Sequence, residues 1–435
     1  MSKIIGIVFI TIITSFYFFP FEFVFLPGIN TKMALAGIGL VILGIRLAKG
    51  QRSMINKDIA TITLYALGIS LASFITVIYN NTNDYSFASY FISMWVWLGG
   101  AYTVTICIKL IHGQLSVRLL ANYLIAVCVA QCIIAFSMTL YEPLKLWVDS
   151  FLGGEEAFMG KAEGRIYGIG AALDVAGLRF SAVLVMIAYL CTKIRGTSHD
   201  RYMWIYLLAF LIITVLGNMI ARTTTMGVVL AISYWIISSG ILWLKWDMRQ
   251  NALFKHFLII VLIAVPILVG LYQTNPTIKE NIRFGFEGFF SLVEKGRWEV
   301  SSNEILTSHM IIFPEDAETW IIGDGYAANP EHRDPYYTGP SFHGFYMGTD
   351  IGYCRFLFYF GLIGTLAFIT YFIKVTSVCC RRFSGFIFMF ILILCTNLIG
   401  WCKVSTDIFL AFAPFLCISS EENDEYEKRI TFLTE

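Results

Sequence analysis

Charge is what this chain has least of. Lys, Arg, Asp and Glu supply 14% of its 435 residues, against about a quarter in an ordinary soluble domain. Hydrophobic residues supply 57%, and the mean hydropathy is +0.71. A soluble fold of this length could not bury so much apolar surface under so few charges. A cytosolic enzyme and a disordered chain are both excluded. A basic excess is also missing, since the formal net charge is +1, and this excludes a nucleic-acid binder. The ten cysteines form no Cys-x-x-Cys pair and no Cys/His cluster of zinc spacing,. Cys107, Cys128, Cys132, Cys191, Cys395 and Cys417 lie inside apolar runs and read as small packing residues,. Internal repeats and low-complexity tracts are absent as well.

What is present is a series of apolar runs close to the length that crosses a bilayer. They cover about 4–26, 33–48, 59–80, 87–111, 119–141, 175–192, 203–220, 226–244, 256–273, 351–374, 384–400 and 405–419. None alternates as a barrel strand would, so each is expected to be a helix. The fold class is an all-α polytopic membrane protein with about twelve transmembrane helices. No small-residue cleavage site follows the first run, which reads as a retained span. Residues 1–273 carry spans 1–9, 351–419 carry spans 10–12, and 420–435 form an acidic tail, a solvated end.

Lys and Arg set the orientation. The segments after every second span are basic: Arg46, Lys49, Arg52 and Lys57; Lys109 and Arg118; Lys193, Arg195 and Arg201; Lys245, Arg249 and Lys255; Lys374, Arg381 and Arg382. Both termini are therefore expected in the cytoplasm. Two long segments then face outward, 142–174 and 274–350. The second is large enough to fold outside the bilayer, as short helices and loops. Thr277 to Glu294 reads as an amphipathic helix with Phe284, Phe286, Phe289 and Phe290 on its greasy side. Ser301-x-x-Glu304 reads as a capping box opening a helix through Ile312, which Pro314 ends.

Charges inside spans are costly, and they mark function by default. Here they share one depth, the outer half of the bilayer: Glu22, Asp174, Arg179, Arg222, Asp350, Arg355, Lys403 and Asp407. An ion-coupled transporter would place them near the midplane. A ring of Arg and Asp at the outer level suits instead the headgroup of an amphiphile whose tail stays in lipid. Arginine favours phosphate there, because its planar fork binds oxyanions two-handed.

Four short stretches lie along this level. Arg165-Ile-Tyr-Gly168 is followed by Gly170, Asp174 and a span. Arg222-Thr-Thr-Thr links two spans, with Ala221 before it. Arg297-Trp298 precedes Ile321-Ile-Gly-Asp-Gly325 in the large loop. Asp350-Ile-Gly-Tyr stands eleven residues before Gly361-Leu-Ile-Gly364. In order and on one face, they resemble the outward Arg-x-x-Gly loop, the Ser-Arg-Thr link, the large-loop Arg with its Gly-x-Gly turn, and the His-Asn…Gly-Leu-x-Gly motif of the O-antigen polymerase and O-antigen ligase superfamily. Asp350 stands where the ligases carry His, a departure that leans toward the polymerases. The resemblance covers roughly residues 165 to 364, and the N-terminal half adds hydropathy alone.

The resemblance implies a membrane glycosyltransferase of the C type in the bacterial inner membrane, needing no cofactor. It would polymerise undecaprenyl-diphosphate-linked oligosaccharide repeats into O-antigen, capsule or another surface polysaccharide. Donor and acceptor are both lipid-linked glycans; membrane lipid, a chain-length regulator and a flippase are the further partners. The transfer would invert the anomeric carbon without a metal ion, for the outward loops hold no Asp-x-Asp pair. Arg222, Arg165, Arg297 and Arg355 are the candidates to hold the diphosphate, Arg222 also acting in catalysis. Asp350 is the first candidate for the base and His343 the second. Trp320, Tyr326 and Tyr337 are candidates to face sugar rings, in a loop also rich in Tyr336, Phe342, Phe345 and Tyr346. Bland roles compete: Asp350 as a helix N-cap, Arg297 in a surface pair with Glu294 or Glu299, Arg355 in a structural ion pair. Two other functions stay open, a ligase that hands the glycan to an acceptor and a transporter or flippase of lipid-linked glycan. The long loop with Arg297 speaks against the transporter.

Overall fold

The structure is a computed structural model, and it describes residues 2–50, 55–153, 165–193, 199–240, 248–328, 341–342 and 345–434. Among these residues eight helices are long and apolar enough to cross a membrane, and the protein is a mostly helical, multi-pass membrane protein. The eight are α2 (Thr31–Ala48), α3 (Lys57–Tyr79), α4 (Tyr90–His112), α5 (Val117–Leu140), α7 (Leu173–Lys193), α8 (His199–Ile220), α10 (Met248–Thr274) and α15 (Gly352–Arg382). The other four apolar runs hold shorter helices: α1 (Ser2–Phe18), α9 (Thr224–Ser238), α16 (Ile387–Gly400) and α17 (Phe409–Leu416). The first run illustrates why hydropathy overestimates length. Its helix stops at Phe18, two residues before Pro20, which removes an amide and turns the preceding residue away from helical backbone,. The chain then forms β1 (Glu22–Phe23) and β2 (Leu26–Asn30), and β3 (Leu152–Gly153) joins them in an antiparallel sheet of order β2-β1-β3.

Helix α7 is the centre of the bundle, 89% buried over its apolar window. It packs against α8, α9, α16 and α5. Small residues allow the close approach: a Cβ on Gly227 of α9 would stand 2.3 Å from the Ser181 Cα. The Ser181 hydroxyl spans the same crossing, donating to the Thr223 carbonyl at 2.9 Å and accepting from the Gly227 N–H at 3.1 Å.

One face of the bundle carries the chain ends. The acidic tail forms a helix there, α18 (Ser420–Thr434), and is docked rather than merely solvated. Asn423 Oδ1 accepts from the Val117 N–H at 3.1 Å, while Glu422 pairs with Lys109 at 2.9 Å and Glu427 with Arg118 at 3.2 Å. Arg381 and Arg382 both pair with Asp58. Arg52, Arg195 and Lys245 lie outside the described residues.

The opposite face carries the long segment before α15 and is called the loop face below. It holds α6 (Glu142–Asp149), α11 (Pro276–Gly285), α12 (Glu287–Lys295), α13 (Ser301–Ile305) with a wide turn through Met310, and α14 (Ala317–Ile321). The expected single helix over 277–294 is two, broken at Phe286 (φ −119°, ψ 27°). The capping box at Ser301 is not formed. Val300 occupies the cap position, and the Ser301 hydroxyl and N–H both donate to Glu287, each at 3.2 Å. The carboxylate that answers Ser301 comes from the neighbouring helix, a tertiary partner that i,i+3 spacing cannot reveal.

Candidate functional site

The loop face is assembled around a break in α15. Its backbone leaves helical geometry at Phe360 (φ −136°) and Gly361 (φ 62°, ψ −164°). Only glycine takes the second conformation without strain. The Gly323-Asp-Gly325 turn fills the break. Asp324 N–H donates to the Phe358 carbonyl at 2.6 Å and Gly325 N–H to the Tyr359 carbonyl at 3.0 Å. These are carbonyls that the interrupted helix leaves without an i+4 partner. Helix α3 and the residues after it hold the turn from the other side. Thr76 donates to the Ile322 carbonyl at 2.8 Å, Asn80 to Gly323 at 2.7 Å and Thr82 to Gly325 at 3.0 Å. Asp84 Oδ2 accepts from the N–H of Ala327 at 2.8 Å. Two of the motifs found in sequence, the Gly-x-Gly turn and Gly361-Leu-Ile-Gly364, are thus one unit.

Beside this unit two arginines converge from separate segments. The Arg165 guanidinium lies 4.9 Å, and that of Arg222 4.5 Å, from the centre of the Phe284 ring. Cation–π contact gives both guanidinium groups one aromatic support,. Arg222 is nearly covered, and its guanidinium pairs with Glu287 at the start of α12. Burial lowers its pKa, and nearby Arg165 lowers it further, while Glu287 and Asp174 oppose the shift. Arg222 stands in the short link between α8 and α9, where Thr223 and Thr224 hold the backbone to α7 and α8. The Thr223 hydroxyl donates to the Asp174 carbonyl at 3.4 Å, and that of Thr224 to Gly217 at 3.0 Å.

Charge continues from there toward α15. Asp174, in the first turn of α7, pairs with Lys403 at 3.1 Å, both largely covered. Asp350 lies within their field. Burial pushes its carboxyl up to about 6; Arg355 and Lys403 pull it down and Asp174 pushes it further up. Arg355 pairs with Asp350 at 3.4 Å, donates to the Ala327 carbonyl at 2.9 Å and stands 4.9 Å from the Phe345 ring centre. Asp350 is not the helix cap: Ile351 takes that position and no side chain closes it. A carboxyl poised near neutrality, between two cations and a second acid, can take up and release a proton. The two arginines on Phe284 can receive an oxyanion.

Not every candidate joins this group. Arg297 is 75% exposed and pairs with Glu299, while Glu294 pairs with Arg283 at 2.8 Å. Trp320 stacks on Phe313 with 5.9 Å between ring centres, and its indole N–H donates to the Pro314 carbonyl at 2.8 Å. Tyr326 lies against Tyr346, their ring centres 5.2 Å apart, and Tyr346 donates to Asp324 at 2.9 Å. His343, Tyr336 and Tyr337 lie outside the described residues. Asp174 and Lys403 stand among the charges noted in the sequence and outside its candidate site; their pairing joins segments far apart in the chain. Phe284 and Glu287 carried no signal beyond a greasy helix side. Among the described residues no group of three or more His, Cys, Asp and Glu side chains gathers as a metal site.

A chamber of about 550 Å³ has Glu22, Lys32, Trp97, Tyr167 and Arg179 in its wall. The 165–172 loop lines it with Tyr167, Gly168 and Gly170, while Arg165 of the same loop lies on Phe284. No family profile, curated protein or solved structure matches the chain.

Proposed function

We propose that this protein is a membrane glycosyltransferase that polymerises undecaprenyl-diphosphate-linked repeat units at the periplasmic face of the bacterial inner membrane. The observation that carries the reading is the convergence of Arg165 and Arg222 on Phe284, joined through Asp174 and Lys403 to Asp350. In the proposed reaction a sugar hydroxyl of one lipid-linked repeat attacks the anomeric carbon of another. The new glycosidic bond forms as the carbon–oxygen bond to the diphosphate breaks. The hydroxyl proton passes to the Asp350 carboxylate, and the leaving diphosphate takes the electron pair against Arg165 and Arg222. Arg355 holds Asp350 in place.

A deletion strain of the source organism tests the reading by its surface-polysaccharide gel. A polymer ladder that collapses to a core bearing one repeat, restored by the wild-type gene and not by Arg222→Ala, supports polymerisation. Polymer left on the carrier with none on the core would replace the proposal with a ligase. Loss of all outward-facing lipid-linked repeats would replace it with a flippase.

A further inference from the structure

The carboxylate of Glu287, at the start of α12, is held from two other segments. The Arg222 guanidinium reaches it from the link between α8 and α9, and the Ser301 N–H and O–H donate to it from the start of α13, each at 3.2 Å. Arg222 is thereby almost closed off, its side chain 13% exposed. Of the opposite charges that act on it, Glu287 is the strongest, ahead of Asp174. The backbone of α12 is clamped. Gly288 lies against Trp298, where an added Cβ would stand 2.3 Å from the indole. The Ser291 hydroxyl accepts from the Glu299 N–H and donates to the Glu299 carbonyl, both at 2.8 Å. Phe290 stacks on Tyr272 of α10 with 5.8 Å between ring centres. The Glu287 side chain has more room than its backbone. It is 34% exposed and borders a pocket of about 460 Å³, whose wall also holds Arg283, Lys295, Glu294, Glu299 and Glu304.

We infer that the Glu287 carboxylate is an internal competitor for the oxyanion site at Arg222: a diphosphate that binds there displaces it toward the neighbouring pocket, and its return helps to expel the diphosphate product. The inference rests on the proposed function for the diphosphate. Glu287 acts through Arg222 and is a positioning residue. Carboxylate and phosphate oxygens are equivalent partners for a guanidinium, since both accept its paired N–H groups. With so little of Arg222 open, a second anion gains the cation only by moving the first. The carboxylate has a place to go, because the pocket gives it room beside two further cations, Arg283 and Lys295, each paired there with another Glu. A competitor of this kind raises the apparent Kd by the reciprocal of the fraction of Arg222 that it leaves open. That weakening serves turnover. Binding energy that grips the diphosphate equally in substrate and product adds nothing to the chemical step and slows release. A carboxylate that weakens both states alike shortens the stay of the product.

The test uses the full-length protein in phosphatidylcholine nanodiscs, with inorganic pyrophosphate as the probe and titration calorimetry as the readout. Glu287→Gln keeps the shape of the side chain and removes its charge, and should bind pyrophosphate at least about fivefold tighter than wild type. Glu294→Gln removes another carboxylate of α12, one paired with Arg283, and should change the affinity by less than about twofold. In an Arg222→Ala background, Glu287→Gln should have no effect. An unchanged or weaker affinity in Glu287→Gln, an equal gain in Glu294→Gln, or a gain that persists without Arg222 would overturn the inference, as would pyrophosphate binding to neither wild type nor Glu287→Gln. Should Glu287→Gln fail to fold, Glu287→Asp keeps the charge and draws it back by one methylene; it should tighten binding by about twofold or more, and no gain there would overturn the inference. In turnover, Glu287→Gln should lower KM and let pyrophosphate inhibit at a concentration about fivefold lower, without raising kcat. A fall in kcat with KM and inhibition unchanged would mean that Glu287 merely orients Arg222, and the competitor role would be wrong. The binding assay needs no glycan and no turnover. Tighter binding by Glu287→Gln in a protein whose deletion leaves polysaccharide intact would therefore sink the proposed function alone, and an unchanged affinity in a proven polymerase would sink this inference alone.

Discussion

The backbone N–H of Asp324 donates to the carbonyl of Phe358 at 2.6 Å, so the large loop plugs a break in a membrane-spanning helix. In hydrocarbon an unanswered carbonyl costs several kcal/mol. The break in α15 is therefore tolerable only while the Gly323–Gly325 turn is seated, and the turn in turn depends on Thr76, Asn80 and Thr82. Over its described residues the loop face is a constructed surface, and Asp350 stands just before the start of the same helix.

Gly361→Ala should accordingly destabilise the protein. The residue sits at φ 62°, and an added Cβ would stand 2.2 Å from the Ile321 carbonyl oxygen. With ψ at −164° this backbone lies in a region essentially reserved for glycine and alone costs about 1–3 kcal/mol for another residue,, and the collision adds to it by unseating the turn. Gly385→Ala, where a Cβ meets nothing within 4 Å, is the comparison. Thermal unfolding in detergent should give a clearly lower midpoint for Gly361→Ala than for Gly385→Ala. Equal midpoints would mean that the helix does not break at this glycine.

Hydropathy located the helices well, because crossing lipid demands apolar runs whatever they pack against. It placed a helix on each of the twelve runs and misjudged their ends, as at Pro20, where local backbone chemistry overrides composition. The charges of the candidate site were legible for the same reason: Arg222, Asp174, Asp350 and Lys403 are conspicuous in an apolar chain. What joins them was not. The Asp174–Lys403 pair and the contact of Arg165 with Phe284 arise from helix packing between distant segments. Ser301 misled for the complementary reason: a motif read along the chain was satisfied across space by Glu287.

Arg165 and Arg222 share one ring, so their effects should be coupled. Arg222→Ala is expected to lower turnover of lipid-linked repeats by about 10²–10³-fold, the cost of removing one donor from a developing anion. Arg222→Lys keeps the charge and loses the guanidinium fork, and should recover only part of this. The double variant with Arg165→Ala should lose less than the product of the single losses, since each arginine also positions the other. Independent, multiplicative losses would show that the two act at separate places.

Arg297 provides the contrast. It was a candidate for the diphosphate on its place in the large loop, yet it is exposed and paired with Glu299. Arg297→Ala should leave turnover within about fivefold of wild type, since an exposed ion pair is worth up to about 1 kcal/mol. The same assay on Arg165→Ala should show a loss at least tenfold larger than that of Arg297→Ala, if about 1.4 kcal/mol separates a site cation from a surface one. A large loss at Arg297 would mean that the loop closes further over bound substrate than the structure shows.

The carboxyl of Asp350 makes a prediction in pH. Burial holds its pKa at about 6, above the ordinary carboxylate value of 3.8. A general base works in its ionised form, which is scarce below this pKa and complete above it. Turnover should therefore rise as pH passes through about 6 and level off above 7. Arg355 pulls the Asp350 pKa down, so Arg355→Met should move the rising limb to higher pH and leave the plateau reached later. Asp350→Asn cannot take the proton, and whatever activity survives should no longer rise through this window. The measurement is initial rate against pH on purified protein with lipid-linked repeats as donor and acceptor. A limb near 6 that persists in Asp350→Asn would assign the titration to another group and remove Asp350 as the base. A limb that disappears, with the folded protein intact, would separate a chemical role from a merely structural ion pair, because losing that pair changes stability and carries no pKa of its own into the rate.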